Sequence, residues 1–282
     1  MTGFTNYTAN NVANYLTGQI PMPTLPAVWM ALFTAVGTDA GTGFTEVSGG
    51  SYARLQVAGT LAATASFTTG SPNITMTSNP GWVVPGMTVY DTTNGFAIGT
   101  VLTYVGTALV LTANALHNSS GTTDNLTFSA FSNATGTGPS SITNSAALSF
   151  VLSTGSWGTV IAFGFYDAVT SGNFLDWDWL GNYAWLPTTI TSASPGVFTA
   201  KAHGYANGNS VVYSVEYGGT APTGLTPGNT IQTVAGATTD TFNVSVNTSS
   251  TGSGMVRQIL QQVVPNNNIV TFAANQLVMT FA

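Results

Sequence analysis

Residues 160–179 read VIAFGFYDAVTSGNFLDWDW, and they indicate two β-strands joined by a turn. The stretches Val160 to Tyr166 and Phe174 to Trp179 are rich in aromatic and aliphatic residues, which favour strands. Ser171, Gly172 and Asn173 lie between the two stretches, and these residue types are typical of turns. The sequence therefore predicts antiparallel β-structure here.

Outward from this stretch, short strands and turn clusters continue along almost the whole chain. The exception is Asn6 to Leu16, where apolar residues recur at helical spacing, Thr5 or Thr8 can cap the start, and Gly18 can end the helix. We therefore predict an all-β protein with a β-sandwich or jelly-roll core, one short N-terminal helix and two small inserted β modules. The predicted strands of the core are Val28 to Thr34, Tyr52 to Val57, Ala146 to Leu152, Val160 to Tyr166, Phe174 to Trp179, Ile259 to Val264, Ile269 to Phe272 and Leu277 to Phe281.

The two modules are inferred from an internal repeat. Ser71 to Tyr90 aligns without a gap with Ser194 to Tyr213, and both segments begin with Ser-Pro and end with Val-Tyr. Trp82 and Tyr205 occupy matched positions, each directly after a glycine. Chance similarity in a chain rich in threonine and glycine is the alternative explanation. If the repeat is genuine, the two segments predict two copies of one small β module.

Polar junctions rich in serine, glycine and threonine set the domain boundaries. They place a first module at residues 66–135 and a second at 188–255. The remaining pieces, 1–65, 136–187 and 256–282, together have the size of a common single domain. We therefore predict one discontinuous core sandwich from which the two modules project.

Charged residues are rare in this chain. Its 282 residues include 3 lysines and arginines and 9 acidic residues, which gives a formal net charge of −6. Nucleic acids and anionic membranes are bound through clustered basic residues, so the sequence predicts neither partner. There is no cysteine, which excludes disulfides and thiolate metal sites. A hydrophobic share of 44% favours a folded core over disorder.

Asp176 and Asp178 form the densest acidic site. Two carboxylates can hydrolyse glycosides, with tryptophans as platforms for the sugar. In a strand, however, both aspartates share one face while Trp177 and Trp179 share the other, so they cannot contact the same sugar. We interpret the segment as a half-buried strand with solvated carboxylates. A weak cation site that uses Asp167 with the two aspartates stays open.

The sequence contains no other strong pattern for catalysis or metal binding. His117 and His203 have no second ligand at the spacing of a metal motif, and we interpret both as loop residues. A Ser-His-Asp arrangement of residues distant in sequence stays open, but there is no nucleophile-elbow motif. We therefore predict no catalytic residue, no metal, no cofactor and no enzymatic activity.

Aromatic residues on β-loops could bind carbohydrate, and Trp82, Tyr90, Tyr205, Tyr213 and Tyr217 are the candidates. Trp82 and Tyr205 recur at one position of the predicted repeat, as a packing residue should. We interpret these two as core anchors of the modules, and glycan contact is the alternative for both.

Five segments of the chain form a recognisable set. They are the opening helix, Pro26 to Thr34 (PAVWMALFT), Thr45 to Arg54 (TEVSGGSYAR), Trp157 to Ala168, and the turn Gly172 to Leu175. Together they resemble a family of tailed-bacteriophage virion proteins. The residues that we assign to the family motif are Glu46, Gly49, Gly50, Tyr52, Arg54, Trp157, Gly158 and Asp167. Both inserted segments also resemble small β modules of virion proteins.

The resemblance implies a non-enzymatic structural protein located in the virion. The main reading is a capsid decoration or cement protein that binds the major capsid protein and projects its modules outward. The alternative is a tail-fibre or host-attachment protein that binds a cell-surface glycan. Either role implies contacts with other virion proteins, and a β surface with so little charge predicts a homo-oligomer.

Physical chemistry adds one expectation for the family motif. Glu46 and Arg54 flank the turn Ser48 to Ser51, so their side chains could pair across a hairpin. We expect such a pair to specify the fold and to take no part in catalysis.

Overall fold

The structure is a computed structural model that describes residues 3–21, 27–64, 67–118, 123–134, 140–181, 183–215 and 218–281. These ranges contain one α-helix and 23 β-strands, and all strand pairs are antiparallel. The predicted all-β fold with a sandwich-like core is confirmed. Within the same ranges, no helix is long and apolar enough to cross a membrane.

The helix, α1, spans Asn6–Leu16, and the strands are numbered in chain order. They are β1 Gly3–Phe4, β2 Ala27–Ala35, β3 Thr45–Glu46, β4 Leu55–Ala62, β5 Asn73–Thr75, β6 Thr88–Asp91, β7 Phe96–Val105, β8 Ala108–Leu111, β9 Asn125–Ser129, β10 Ser140–Thr143, β11 Leu148–Ser149, β12 Gly158–Val160, β13 Ala162–Tyr166, β14 Phe174–Trp179, β15 Leu186–Ile190, β16 Val197–Thr199, β17 Ser210–Ser214, β18 Gln232–Thr233, β19 Thr241–Asn243, β20 Gly252–Ile259, β21 Gln262–Val264, β22 Thr271–Phe272 and β23 Val278–Phe281.

Helix α1 begins and ends where the sequence predicts. Thr5 is the N-cap, and Gly18 follows the last turn with a left-handed φ of +74°. No residue of the helix is buried, so apolar packing contributes little to its attachment. Hydrogen bonds hold it instead, because the hydroxyls of Thr5 and Thr8 donate to the Leu175 carbonyl of β14 at 3.2 and 2.7 Å.

The largest sheet has 11 strands, in the order β1-β14-β13-β2-β4-β9-β6-β7-β8-β5, with β3 paired to β2. Strand β13 lies between β2 and β14. Its residue Phe165 is opposite Met30 on one side and Asp176 on the other, so these three side chains share one face of the sheet. The aspartates of β14 therefore point to the same face of the sheet as Phe165, and a second layer of chain covers this face.

The covering layer is a ribbon of two chain segments. Residues 140–160 run antiparallel to residues 262–281 and pair with them in three places, as β10 with β23, β11 with β22, and β12 with β21. We call these two segments the ribbon. Its apolar residues in the main core are Ala146, Leu148, Phe150, Trp157, Val160, Val264 and Leu277. A two-stranded layer is much narrower than the sheet on which it packs.

A second, six-stranded sheet has the order β18-β17-β20-β15-β16-β19. It has its own apolar core, which includes Phe198, Tyr213 and Phe242. A third cluster joins the two sheets, because Val212 and Ile259 of the six-stranded sheet belong to the same cluster as the tryptophans of β14.

The predicted module boundaries stay predictions. Strands β5 to β9 lie within the first predicted module, and they join the large sheet because β9 pairs with β4. The six-stranded sheet contains most of the second predicted module. Strand β15, near the start of that module in sequence, pairs with β20, near its end.

The strand order of the two predicted copies differs. Strand β6, which contains Val89 and Tyr90, pairs with β7 and β9. The matched strand β17, which contains Val212 and Tyr213, pairs with β18 and β20. The local match in sequence therefore does not extend to the choice of partner strand, and the prediction of two copies of one small β module stays a prediction.

Most predicted strands exist, but several are shorter or divided. Strand β14 has the predicted bounds. The predicted strand Val160 to Tyr166 is divided into β12 and β13, because the chain changes partner at Ile161: Val160 pairs within the ribbon and Ala162 pairs within the large sheet. Such a change leaves no mark in composition, since both halves are equally apolar.

Candidate functional site

Strand β14 holds the candidate carboxylate pair, and its two faces differ as the alternation predicts. Trp177 and Trp179 are 4% and 2% exposed and pack in the cluster between the two sheets. Asp176 and Asp178 point to the opposite face, beneath the ribbon. The tryptophans therefore cannot serve as a sugar platform for the aspartates. The prediction that both carboxylates are solvated is wrong, because the ribbon partly covers them.

Asp178 is engaged by an arginine of the other sheet. Arg257 of β20 donates from Nη1 to Asp178 Oδ1 at 2.7 Å, and from Nη2 to Oδ2 at 3.3 Å. Nη2 also donates to the Gly181 carbonyl at 2.8 Å. The two side chains are only 5% and 20% exposed, so the pair is largely shielded from water. This ion pair links the six-stranded sheet to the large sheet.

Asp176 accepts a hydrogen bond from the Trp177 amide at 2.8 Å. Burial raises the pKa of Asp176 to about 7, although this hydrogen bond opposes the shift, and the negative charges of Asp178 and Asp39 raise it further. Such a carboxyl can exchange a proton near neutral pH. Glycoside hydrolysis needs a second carboxylate on the same substrate, however, and Asp178 is bound to Arg257.

Two clefts flank the ribbon, each with a volume of about 400 Å³. Asp176 lines the cleft beneath helix α1, together with Phe131 and Met279. Asp178 lines the other cleft, together with Phe272. The two carboxylates therefore open into different cavities, and neither cleft receives both of them.

The predicted pair of Glu46 and Arg54 is present, and it belongs to a larger network. Arg54 donates from Nε to Glu46 Oε1 at 2.9 Å and from Nη2 to Oε2 at 2.7 Å. Its Nη1 donates to the carbonyls of Ala168 and Ser171 at 3.0 and 2.7 Å, and its guanidinium lies 3.5 Å from the centre of the Tyr166 ring. Arg54 thus fixes the 46–54 segment to the loop between β13 and β14.

Tyr52 connects the same network to the centre of the large sheet. Its hydroxyl donates to Glu46 Oε1 at 3.0 Å and accepts a hydrogen bond from the Leu32 amide at 2.9 Å. Burial raises the pKa of Tyr52 well above its usual range, so the hydroxyl keeps its proton.

Replacing Tyr52 with phenylalanine is expected to lower the free energy of unfolding by about 1–3 kcal/mol, because the buried Leu32 amide loses its hydrogen-bond acceptor. Urea-induced unfolding measures this loss. Tyr104→Phe is the matched control, because the Tyr104 hydroxyl donates to the exposed Ser78 carbonyl, where water can replace it. Equal losses for the two variants would contradict the role of the Leu32 hydrogen bond.

The remaining motif residues shape the backbone. Gly49 and Gly50 have φ values of +73° and +54°, which favour glycine. Trp157 Nε1 donates to the Gly50 carbonyl at 2.9 Å, and a Cβ on Gly50 would lie 3.0 Å from the same nitrogen. Gly158 also has a positive φ, of +78°. Positive φ values therefore explain the three glycines, and close packing against Trp157 adds a second constraint at Gly50.

Asp167 closes the turn between β13 and β14. Its carboxylate accepts hydrogen bonds from the backbone amide and the side-chain amide of Asn173, at 2.6 and 2.7 Å. A Cβ on Gly172 would lie 2.6 Å from Asp167 Oδ1, so only glycine fits beside it. The family-motif residues thus form a scaffold, and their side chains are occupied with one another.

Both histidines lie in loops, as predicted. His203 is 7% exposed, and its Nδ1 accepts a hydrogen bond from the Tyr205 amide at 2.9 Å. His117 Nε2 lies 3.7 Å from Asp91 Oδ2. Across the ranges that the structure describes, no three histidine or acidic side chains come together in a way that could hold a metal ion. The three aspartates considered for a cation site are among these residues.

The aromatic candidates for carbohydrate contact differ greatly in exposure. Tyr90 is 44% exposed. Tyr205 and Tyr213 are buried in the core of the six-stranded sheet, and the half-buried Trp82 packs against the main core. Tyr217 lies outside the described residues. The burial of Trp82 and Tyr205 agrees with their interpretation as core anchors and leaves Tyr90 as the accessible ring of the four described.

Comparison with known proteins gives the chain its class. A family model described as "Podophage GP4 fiber I protein gp80" matches residues 3–95 and 106–202. With the all-β fold, this match defines a structural protein of a bacteriophage virion. The match covers more than half of the chain, and the chain belongs to this podophage fibre protein family. It is a component of the phage particle.

Among solved structures, the chain is similar to a phage phi92 endosialidase, with 14% identity and a TM-score of 0.21. That alignment covers 42% of this chain and 20% of the endosialidase, so it involves about a fifth of that protein. Such a low TM-score carries no conclusion about fold or activity. No curated protein matches the chain.

Proposed function

We propose that the protein is a subunit of a phage tail fibre and that it attaches the particle to the surface of the host cell. The family match carries this proposal, because the matching family is described as a fibre protein. The match favours the fibre alternative over capsid decoration, for which it offers no support. The partners of the subunit are then other tail proteins and a glycan of the host.

The geometry of β14 argues against cleavage of a glycan by its two aspartates. Asp176 and Asp178 open into different clefts, and Asp178 is paired with Arg257. The proposed role is therefore attachment to a glycan that these two carboxylates do not cleave.

The ribbon supports the proposal that several copies associate in the fibre. Residues 131–166 and 258–282, which include the whole ribbon, contain no charged residue. Val151, Val263 and Ile269 are about half exposed on these segments. Because each copy carries a net charge of −6, copies can approach along an uncharged surface with the least repulsion.

Two measurements test the main proposal: where the protein lies in the phage particle, and whether the purified protein binds host cells. An antibody raised against the purified chain is expected to label the tail of intact phage in electron micrographs. The purified protein is expected to bind host cells and to slow phage adsorption in competition. Labelling of the capsid surface would contradict the fibre assignment and restore the decoration reading. Labelling of the tail without binding to cells would support a structural role in the fibre and contradict the role in host attachment.

A further inference from the structure

Tyr90 is an exposed aromatic ring on the open face of the large sheet. Its neighbours in β6, Val89 and Asp91, are 1% and 0% exposed, whereas Tyr90 is 44% exposed. Successive residues of a strand point to opposite faces, so Tyr90 points away from the core. Its hydroxyl lies 3.9 Å from the position that a Cβ on Gly95 would occupy, so the ring extends along the hairpin turn between β6 and β7.

Hydroxyl side chains continue from Tyr90 across the neighbouring strands. Tyr90 lies opposite Thr127 of β9, and Thr127 lies opposite Thr60 of β4. In the next row, Thr88 lies opposite Ser129. We call these five residues the hydroxyl strip. Strand spacing places its two ends roughly 10 Å apart, which is long enough for more than one sugar ring.

Three members of the hydroxyl strip, Tyr90, Thr60 and Thr127, supply its stacking and hydrogen-bonding groups. The Thr88 hydroxyl donates to the Phe131 carbonyl, and the Ser129 hydroxyl accepts from the Phe131 amide, both at 3.1 Å. The hydroxyls of Thr60 and Thr127 lie 2.8 Å apart and share one hydrogen bond. Two hydroxyls offer two donors and four acceptors, so one donor and three acceptors stay free for a ligand. The Tyr90 ring supplies an apolar face with a polar tip, which suits the C–H face and the hydroxyls of a hexose.

The charge around the hydroxyl strip selects among glycans. None of its five residues is charged, and Asp91 points to the opposite face, where its carboxylate accepts hydrogen bonds from Thr93 and Asn94. Two of the three basic residues of the chain, Arg54 and Arg257, are bound in ion pairs. An acidic glycan would meet no cation on the strip and a protein of net charge −6, so the strip suits an uncharged glycan.

From this geometry we propose that the hydroxyl strip binds a neutral hexose glycan of the host surface, with Tyr90 as the stacking platform. The proposal rests on the host-attachment role given above and names its ligand class and its site. Because no ion pair contributes, binding depends little on salt concentration between about 0.1 and 1 M.

The test uses the purified full chain and a panel of immobilised polysaccharides, with dextran, mannan and galactan as neutral probes and polysialic acid and polygalacturonate as acidic ones. We expect binding to at least one neutral polysaccharide and to neither acidic one. Tyr90→Ala is expected to weaken that binding about tenfold or more, and Tyr90→Phe to keep most of it. Thr127→Val, which removes one hydroxyl at nearly constant volume, is expected to weaken it less than Tyr90→Ala does.

Phe96→Ala is the matched control. Phe96 is 54% exposed in the same hairpin, but it pairs with Asp91 and contacts His117, so it lies on the opposite face. This variant is expected to bind as the unaltered protein does. Thermal unfolding of each variant separates a folding defect from loss of the site.

Adsorption to whole host cells separates this proposal from the proposed function. If the protein adsorbs and Tyr90→Ala adsorbs equally well, the hydroxyl strip is not the site, although host attachment stands. If periodate oxidation of the cells leaves adsorption unchanged while protease abolishes it, the ligand is not a glycan. Binding to acidic probes only, or to no probe, also overturns the proposal. A protein that does not adsorb at all contradicts host attachment itself.

Discussion

Replacing Arg257 with alanine is expected to lower the free energy of unfolding by about 3–5 kcal/mol. The reason is that Asp178 stays largely buried while its partner is lost. A buried carboxylate without a counter-charge is costly, and the Gly181 carbonyl loses its donor at the same time. Urea-induced unfolding at neutral pH measures the change.

Two further variants show whether the unpaired charge causes this loss. Lys201→Ala removes an exposed cation and is expected to change the free energy of unfolding by less than about 0.5 kcal/mol. Combining Arg257→Met with Asp178→Leu removes both charges, and we expect it to recover most of the stability that Arg257→Ala loses. A loss of about 1 kcal/mol or less for Arg257→Ala would mean that the pair behaves as an ordinary surface salt bridge.

Replacing Asp176 with asparagine is expected to remove a pH dependence of stability. In the folded protein the pKa of Asp176 is about 7, above its ordinary value of 3.8, so the folded state keeps the proton where the unfolded state has lost it. The stabilisation is therefore fully present below pH 3.8 and is lost as the pH rises to about 7. The full difference corresponds to about 4 kcal/mol at most.

Because the asparagine is uncharged at every pH, the variant should be more stable than the unaltered protein above about pH 7. The two proteins should converge toward pH 4. The measurement is the difference between the free energies of unfolding of the two proteins across this pH range. The pH effects of the other carboxylates are common to both proteins and cancel in this difference. Asp240→Asn, at an exposed position, is expected to keep the pH dependence of the unaltered protein. A constant difference between Asp176→Asn and the unaltered protein would contradict the raised pKa.

Short-range chemistry made part of the fold predictable. The bounds of α1 follow from Thr5 and Gly18, which act within one turn of the helix. The bounds of β14 and the opposite faces of its aspartates and tryptophans follow from simple alternation. The ribbon could not be predicted, because its two segments are more than a hundred residues apart and each pairs over only two to four residues at a time.

The same distinction applies to the candidate site. Glu46 and Arg54 flank one short turn, so their pairing could be predicted, whereas the carbonyls that complete the network come from residues 168 and 171. The partners Arg257 and Asp178 are 79 residues apart. A signal was present, since Arg257 lies in an apolar strand beside Val256 and a buried arginine needs a carboxylate. The sequence could not select which of nine acidic residues it would be.

The ribbon also has a consequence for synthesis of the chain, because one of its two segments emerges from the ribosome long after the other. Until residues 262–281 are made, strands β11 and β12 lack their partner strands β22 and β21. The ribbon that holds Leu148, Phe150 and Trp157 over the core is then incomplete. A nascent chain interrupted before residue 262 therefore exposes an apolar surface of the kind that leads to aggregation or degradation. We therefore expect chains that end before residue 262 to aggregate or to be degraded more readily than the full chain.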